Sequence, residues 1–330
     1  MKKMTIGENE AGQRLDKYLK KLLPEAPAGF LYKMLRKKNI TLNGGRASGN
    51  EKTSSGDSVE IYISDETASK FGFKEKTALS GLWPGSYQGK DPAIVYEDHD
   101  VLILDKPAGL LSQPDSTGEP SMVEFVTDYL LRTGAVSEEE LLTFHPSVVN
   151  RLDKNTTGLI AAGKTLRGLQ ELSDVLRERT VEKYYLCVVC GKVTGEKSVS
   201  GFLHKNKKTN TVTVHRERAE GDVPFCMNYE ALEGNERFTL IRIELVTGRA
   251  HQIRAYFASE GHPPAGDPKY GDPEVNRRLK EHYGARYQFL HCAEMDFGET
   301  KGALAGLSGK KLFSEEPQVF RRVLYGQGQE

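Results

Sequence analysis

The sequence predicts an α+β fold: a large domain on a mixed or antiparallel sheet, preceded by a small N-terminal α/β module. Three observations carry that expectation. From Asp91 onward, short apolar runs bounded by turn signals dominate, and helical periods are inserted among them. The first 64 residues carry a set of their own: a helix, a second helix and short strands. Between them, residues 65–90 are polar, scattered with Lys, Ser and Gly, and show no sustained period. The expected organisation is a module over 1–64, a linker over 65–90 and a main domain over 91–330, which suits a 330-residue chain at roughly 100–200 residues per domain.

Leu15, Tyr18, Leu19 and Leu22 recur at helical spacing from Arg14 to Leu23. Pro24 and Pro27 punctuate, and a second helical stretch runs from about Ala28 to Lys38. Ile40-Thr41-Leu42 reads as a strand before the turn Asn43-Gly44-Gly45. Gly56-Asp57 is another turn, and Val59, Ile61 and Ile63 alternate after it. Trp83, beside Pro84, suggests that part of the linker packs on a neighbour. Ala93–Glu97 and Val101–Leu104 read as strands around Asp98-His99-Asp100, and Lys106-Pro107-Ala108-Gly109 forces an irregular loop. Leu166, Leu169, Leu172 and Leu176 place a helix over about Lys164 to Arg177. Val181–Val189, Thr211–Val214 and Arg237–Val246 read as strands. A helix from about His251 to Glu260 stops at Gly261, with Pro263 and Pro264 beyond.

Hydrophobic residues at 38% and charged residues at 28% exclude a fibrous or disordered chain. No apolar run reaches the ~18 residues of a membrane helix. M-K-K-M-T-I-G-E-N-E lacks an apolar signal core, and four cysteines are too few for a disulfide scaffold, so a reducing cytoplasmic location is expected. The net charge is zero, which argues at first against a polyanionic partner. Counted by segment it is +5 over 1–64, −9 over 65–144 and +4 over 145–330. The neutrality is a cancellation, and a partner feels the local potential. Lys33, Arg36, Lys37 and Lys38 crowd the second helix; they read either as a solvated face or as a phosphate-contacting one.

Several chemistries lack their motif. There is no G-x-S-x-G, no Walker loop and no G-x-G-x-x-G after a strand. The eight histidines lack metal spacing. Cys187 and Cys190 form a C-x-x-C inside a strand, where residues three apart point to opposite faces, so no metal site is expected. Two segments remain. In Asn150-Arg151-Leu152-Asp153-Lys154-Asn155-Thr156-Thr157-Gly158, Asp153 is either a turn residue capping local amides or an ionised carboxylate held at a sheet edge. In Thr247-Gly248-Arg249-Ala250-His251-Gln252-Ile253-Arg254 a strand ends and a helix opens. Ile253 should face the core with Phe257, so Arg254 beside it can be held rigidly and aimed at a carboxylate as a planar fork.

Taken together, these segments resemble the RluA-like pseudouridine synthase family. R-L-D-K-N-T-T-G-L-I is similar to its catalytic loop, and L-V-T-G-R-A-H-Q-I-R with G-H-P-P-A-G-D-P-K-Y-G to its second hallmark. Val181-Glu182-Lys183-Tyr184-Tyr185, Lys106-Pro107-Ala108-Gly109 and Phe289-Leu290-His291-Cys292-Ala293 match further segments in the family's order. Residues 13–64 resemble the alpha-L RNA-binding motif, named after a small-subunit ribosomal protein. The resemblance implies a pseudouridine synthase domain behind an RNA-binding module. Asn150, Thr157, Ala250 and Gln113 depart from the usual residues, which bears on the substrate site more than on the reaction.

The implied reaction isomerises uridine to pseudouridine in structured RNA, with large-subunit ribosomal RNA the expected target. No atom is gained or lost, so no cofactor or metal is expected, and neither is a protein partner or an oligomer. Asp153, Tyr185 and Arg254 are the implied catalytic residues. Arg151 would fill the space a flipped base vacates, Lys154 and Arg249 would contact phosphates, and Leu290 would wall the base. A glycosidase would need a second carboxyl, absent from the loop of Asp153 though able to arrive from elsewhere in the fold. A non-catalytic RNA-binding scaffold is the other alternative.

Overall fold

The computed structural model describes residues 1–73, 83 and 89–326. In the N-terminal module, β1 (Lys2–Thr5), α1 (Leu15–Leu22), α2 (Ala28–Arg36), β2 (Ile40–Leu42), β3 (Gly45–Arg46) and β4 (Ser58–Ile61) form one unit. Its antiparallel sheet runs β1-β4-β2-β3. The four periodic residues of α1 are fully buried against Leu35, Ile40, Val59 and Ile61. Asn43 and Gly44 both have positive φ, as the tight turn between β2 and β3 requires. The strand β1 was not anticipated. None of its side chains is fully buried, so it carries no apolar alternation to read.

The stretch expected to be a linker opens with a helix, α3 (Asp65–Lys70), capped by the Ser64 hydroxyl, which accepts from the Thr67 amide. This is a correction: a two-turn helix with one buried residue is too short to show a period. Of the rest of the stretch, residues 71–73, Trp83 and the last two residues are described, and the remainder lies outside the described residues. Trp83 stands edge-on to Phe125 at 5.1 Å and donates to Asp91 Oδ1 at 3.1 Å, the packing its sequence suggested.

The main domain follows as β5 (Ala93–Glu97), β6 (Val101–Lys106), α4 (Met122–Arg132), β7 (Ser147–Val148), β8 (Thr157–Gly163), α5 (Leu166–Glu178), β9 (Glu182–Cys190), β10 (Glu196–Asn206), β11 (Thr211–His215), β12 (Val223–Gly234), β13 (Phe238–Glu244), α6 (Gln252–Ser259), α7 (Pro273–Tyr283), β14 (Leu290–Asp296), β15 (Lys311–Phe313) and α8 (Gln318–Tyr325). Eleven strands form one sheet, ordered β11-β10-β12-β13-β9-β14-β8-β6-β5, with β15 on β14 and β7 on β8. The pairing of β14 with β8 is parallel and the other pairings are antiparallel, so the sheet is mixed. Apolar cores lie on both of its faces.

Strand order positions the site. Neighbours β9, β14 and β8 put Cys292 opposite Tyr185 on one side and opposite Gly158 on the other. Gly158 takes φ +103°, and a Cβ there would collide with the Cys292 carbonyl, so only glycine admits this approach. No helix among the described residues is long and apolar enough to cross a membrane.

Candidate active site

The loop that enters β8 is pinned along its length. Asn150 Nδ2 donates to the Leu159 carbonyl at 3.2 Å, and Asn150 Oδ1 accepts from the Ala161 amide at 2.8 Å, closing the loop at its base. The Ser112 hydroxyl donates to the Leu152 carbonyl at 2.7 Å and accepts its amide at 2.9 Å. Lys106 is wholly buried, and its ammonium donates to the carbonyls of Lys154 at 2.8 Å and Pro107 at 2.9 Å. Burial lowers its pKa to about 7, a fall that nearby Asp153 and Asp105 partly oppose. Asp153 is thus presented by a backbone tied to two other segments.

Its partner comes from α6. Arg254 Nη1 donates to Asp153 Oδ2 at 2.5 Å. The same guanidinium turns its other edge to Asp267, donating through Nε to Oδ2 at 2.7 Å and through Nη2 to Oδ1 at 2.9 Å. Asp267 Oδ1 also accepts the amides of Lys269 and Tyr270. Arg254 is 5% exposed and Asp267 fully buried. Burial alone would raise the Asp267 pKa, but the Arg254 fork holds it below the usual carboxylate range. Burial likewise opposes the charge on Arg254, and the two carboxylates outweigh it. The result is a fixed cation between two carboxylates, one sealed and one open to a cleft.

That cleft has a volume of about 610 Å³. Arg151, Lys154, Tyr185, Arg249 and Leu290 line it with Asp153 and Arg254. Burial raises the Tyr185 phenol well above its ordinary pKa, so it stays protonated beside the cleft. Lys154 pairs with Glu119 at 2.6 Å, and Arg249 Nε donates to the Pro224 carbonyl at 3.2 Å. Both are tied before any phosphate arrives. Lys33, Arg36, Lys37 and Lys38 are not part of this lining; they are exposed at the end of α2 and on the turn after it.

A family model described as RNA pseudouridylate synthase matches residues 100–259. The ribosomal large subunit pseudouridine synthase C of Escherichia coli is 33% identical over 304 residues, covering 90% of this chain and 88% of that protein. The chain belongs to the RNA pseudouridylate synthase family. The synthase of the same name from Pasteurella multocida is 32% identical over 307 residues, covering 91% and 87% of the two chains. A solved structure described as human RNA Pseudouridylate Synthase Domain Containing 4 aligns with 69% of this chain and 90% of its own, at 18% identity and a TM-score of 0.49.

Four residues around this synthase's cleft were given no role from sequence. Lys106 and Asp267 lie inside recognised motifs, and His251 and Tyr270 flank the ion pair. One signal was available for Asp267. A guanidinium carries five donors, and Asp153 engages one of them, so a buried Arg254 demands a second acceptor. Three of the departures, Gln113, Asn150 and Ala250, line the cleft, and Asn150 spends both ends of its amide on the main chain of β8. Thr157 holds His291 through its hydroxyl, 2.8 Å from Nδ1, on the neighbouring strand.

Proposed function

We propose that this chain isomerises uridine to pseudouridine in large-subunit ribosomal RNA, acting as a cytoplasmic monomer without cofactor and using Asp153 as its one reacting carboxylate. The supporting observation is the asymmetric pair of carboxylates around Arg254. Breaking the bond between nitrogen one and the ribose builds positive charge on the sugar. An ionised Asp153 stabilises that charge, attacks the anomeric carbon or removes a nearby proton. Carbon five then bonds the ribose and gives up its proton, while nitrogen one regains one, so the atoms balance.

A hydrolase needs a second carboxyl that donates a proton or activates water. Asp267 is buried with both oxygens bonded, so it can do neither. Asp115, on the rim of the cleft, is held below its usual pKa chiefly by the Thr117 hydroxyl, so it is no proton donor, and activation of water by its carboxylate is what release of free uracil would report. The remaining architecture favours reattachment of the base. Tyr185 offers a ring and a protonated hydroxyl, Leu290 an apolar wall, and Arg151 a cation to replace the flipped base in its stack. Lys154 and Arg249, with Lys33, Arg36, Lys37 and Lys38 on the N-terminal module, supply phosphate contacts.

The test is to map pseudouridine in ribosomal RNA from a strain lacking this gene, then complement with wild type, Asp153→Asn or Asp153→Ala. One modification should vanish, return with wild type, and stay absent with either variant, while RNA affinity in vitro stays within about threefold. An unchanged map supports a scaffold role instead. Free uracil released from RNA would mean a glycosidase.

A further inference from the structure

His251 stands where β13 gives way to α6, in left-handed backbone with φ +53°. Its side chain is 10% exposed and faces the cleft. One ring nitrogen, Nδ1, lies 2.8 Å from the Tyr270 hydroxyl. That hydroxyl already accepts the Val212 amide at 2.7 Å. With one lone pair taken by that amide, the hydroxyl is placed to donate its own proton to Nδ1. Nδ1 is then an acceptor, the hydrogen of the neutral imidazole sits on Nε2, and Nε2 lies 4.0 Å from Asp153 Oδ2.

Oδ2 is the same oxygen that Arg254 engages. Tyr270 serves both neighbours: its ring lies 5.2 Å below the Arg254 guanidinium and meets the His251 ring edge-on at 5.6 Å. One donor therefore engages Oδ2 and a second stands 4.0 Å from it, and Oδ1 receives no hydrogen bond from the described residues. At 4.0 Å the imidazole is too far for a hydrogen bond. Catalytic hydrogen bonds are often long in the empty enzyme and tighten in the substrate complex.

We propose that His251 is a positioning residue for the isomerisation: Tyr270 locks it in the tautomer whose Nε2–H faces Asp153 Oδ2, and together with Arg254 it reserves Oδ1 for the ribose and base. The proposal rests on Asp153 being the reacting carboxylate. The charged groups around the imidazole are Asp153 from the catalytic loop, Arg254 from α6, and Asp267 and Lys269 from the turn beneath. Burial is the largest influence on the ring and keeps it neutral, with Asp153 opposing and Arg254 assisting.

The test compares His251→Asn, His251→Gln and Tyr270→Phe with wild type in single-turnover assays on the RNA identified by mapping. Asn tolerates left-handed backbone but does not reach Asp153, so kcat should fall about tenfold or more with KM within about twofold. Gln restores a donor at the Nε2 position and should recover kcat to within about threefold of wild type. Tyr270→Phe keeps the ring and removes the proton that occupies Nδ1. Without that donor the neutral ring is free to carry its hydrogen on Nδ1, so kcat should fall about threefold or more where the ring is neutral and recover towards acid pH, where the imidazolium again carries Nε2–H. Thermal melts confirm that each variant is folded. Wild-type kcat in His251→Asn, a His251→Gln variant as slow as His251→Asn, or a wild-type kcat–pH profile in Tyr270→Phe would each overturn the proposal. Because Asp153→Asn is assayed alongside, a dead Asp153→Asn with a normal His251→Asn rejects this role alone, and an active Asp153→Asn rejects the underlying reading.

Discussion

Asp153, Tyr185 and Arg254 were singled out through the motif resemblance, and the structure brings all three to one cleft. Their buried supports were given no role, because their partners are set by the fold: Lys106 holds a carbonyl 48 residues away, and Asp267 takes the inner edge of the Arg254 guanidinium. Lys106 makes a pH prediction. Burial favours its neutral form in the folded protein, with a pKa of about 7. The unfolded chain keeps the lysine charged to about pH 10.4, so it binds more protons than the folded chain above pH 7, and stability rises with pH in that window. Between pH 7 and 8, below the range where unfolded cysteines ionise, wild type should gain up to about 1.4 kcal/mol per pH unit relative to Lys106→Met. Urea melts at pH 7.0, 7.5 and 8.0 measure the difference, and parallel trends in the two proteins would refute it.

The helices and strands read from periodicity agree within two residues, although α4, with Met122, Phe125, Val126 and Leu130 buried at helical spacing, was not read. The helix expected over Lys164 to Arg177 is Leu166–Glu178, and the strand Ile40–Leu42 is as expected. Elements defined by their neighbours were missed. In β10 and β12 the sequence alternates weakly because many side chains on both faces are exposed, and α7 carries a single buried residue, Leu279. The junction of β8 with β14 also depends on a neighbour, since nothing near Gly158 in sequence reveals how close Cys292 comes. Gly158→Ala should cost about 3 kcal/mol or more, combining left-handed strain with overlap at the Cys292 carbonyl. Chemical denaturation tests this, and a cost under about 1 kcal/mol would show that the two strands separate easily.

In the whole molecule, the N-terminal module touches the main domain directly. The Thr143 hydroxyl donates to buried Glu10, Asn9 Nδ2 donates to Glu140 Oε1 at 3.0 Å, and Leu142 packs into the module's apolar core. Deleting residues 1–64 would therefore bare Leu142 as well as remove charge, so neutralisation is the cleaner test. Replacing Lys33, Arg36, Lys37 and Lys38 with Gln should flatten the plot of log affinity against log salt by about 0.7–0.9 for each phosphate that is no longer neutralised. An unchanged slope would place the RNA elsewhere. The segment sum of +5, −9 and +4 agrees with basic surface at both ends of the chain. The parallel pairing of β14 with β8 has one more consequence, which concerns the order of synthesis. The strand bearing Tyr185 and the strand following the catalytic loop do not touch each other in the sheet; β14, beginning at residue 290, lies between them. A ribosome delivers the chain from its N-terminus, so the residues of β14 from Leu290 onward must emerge before the cleft gains its middle wall. Until then the strand of Tyr185 and the strand of Gly158 have no partner between them in the sheet.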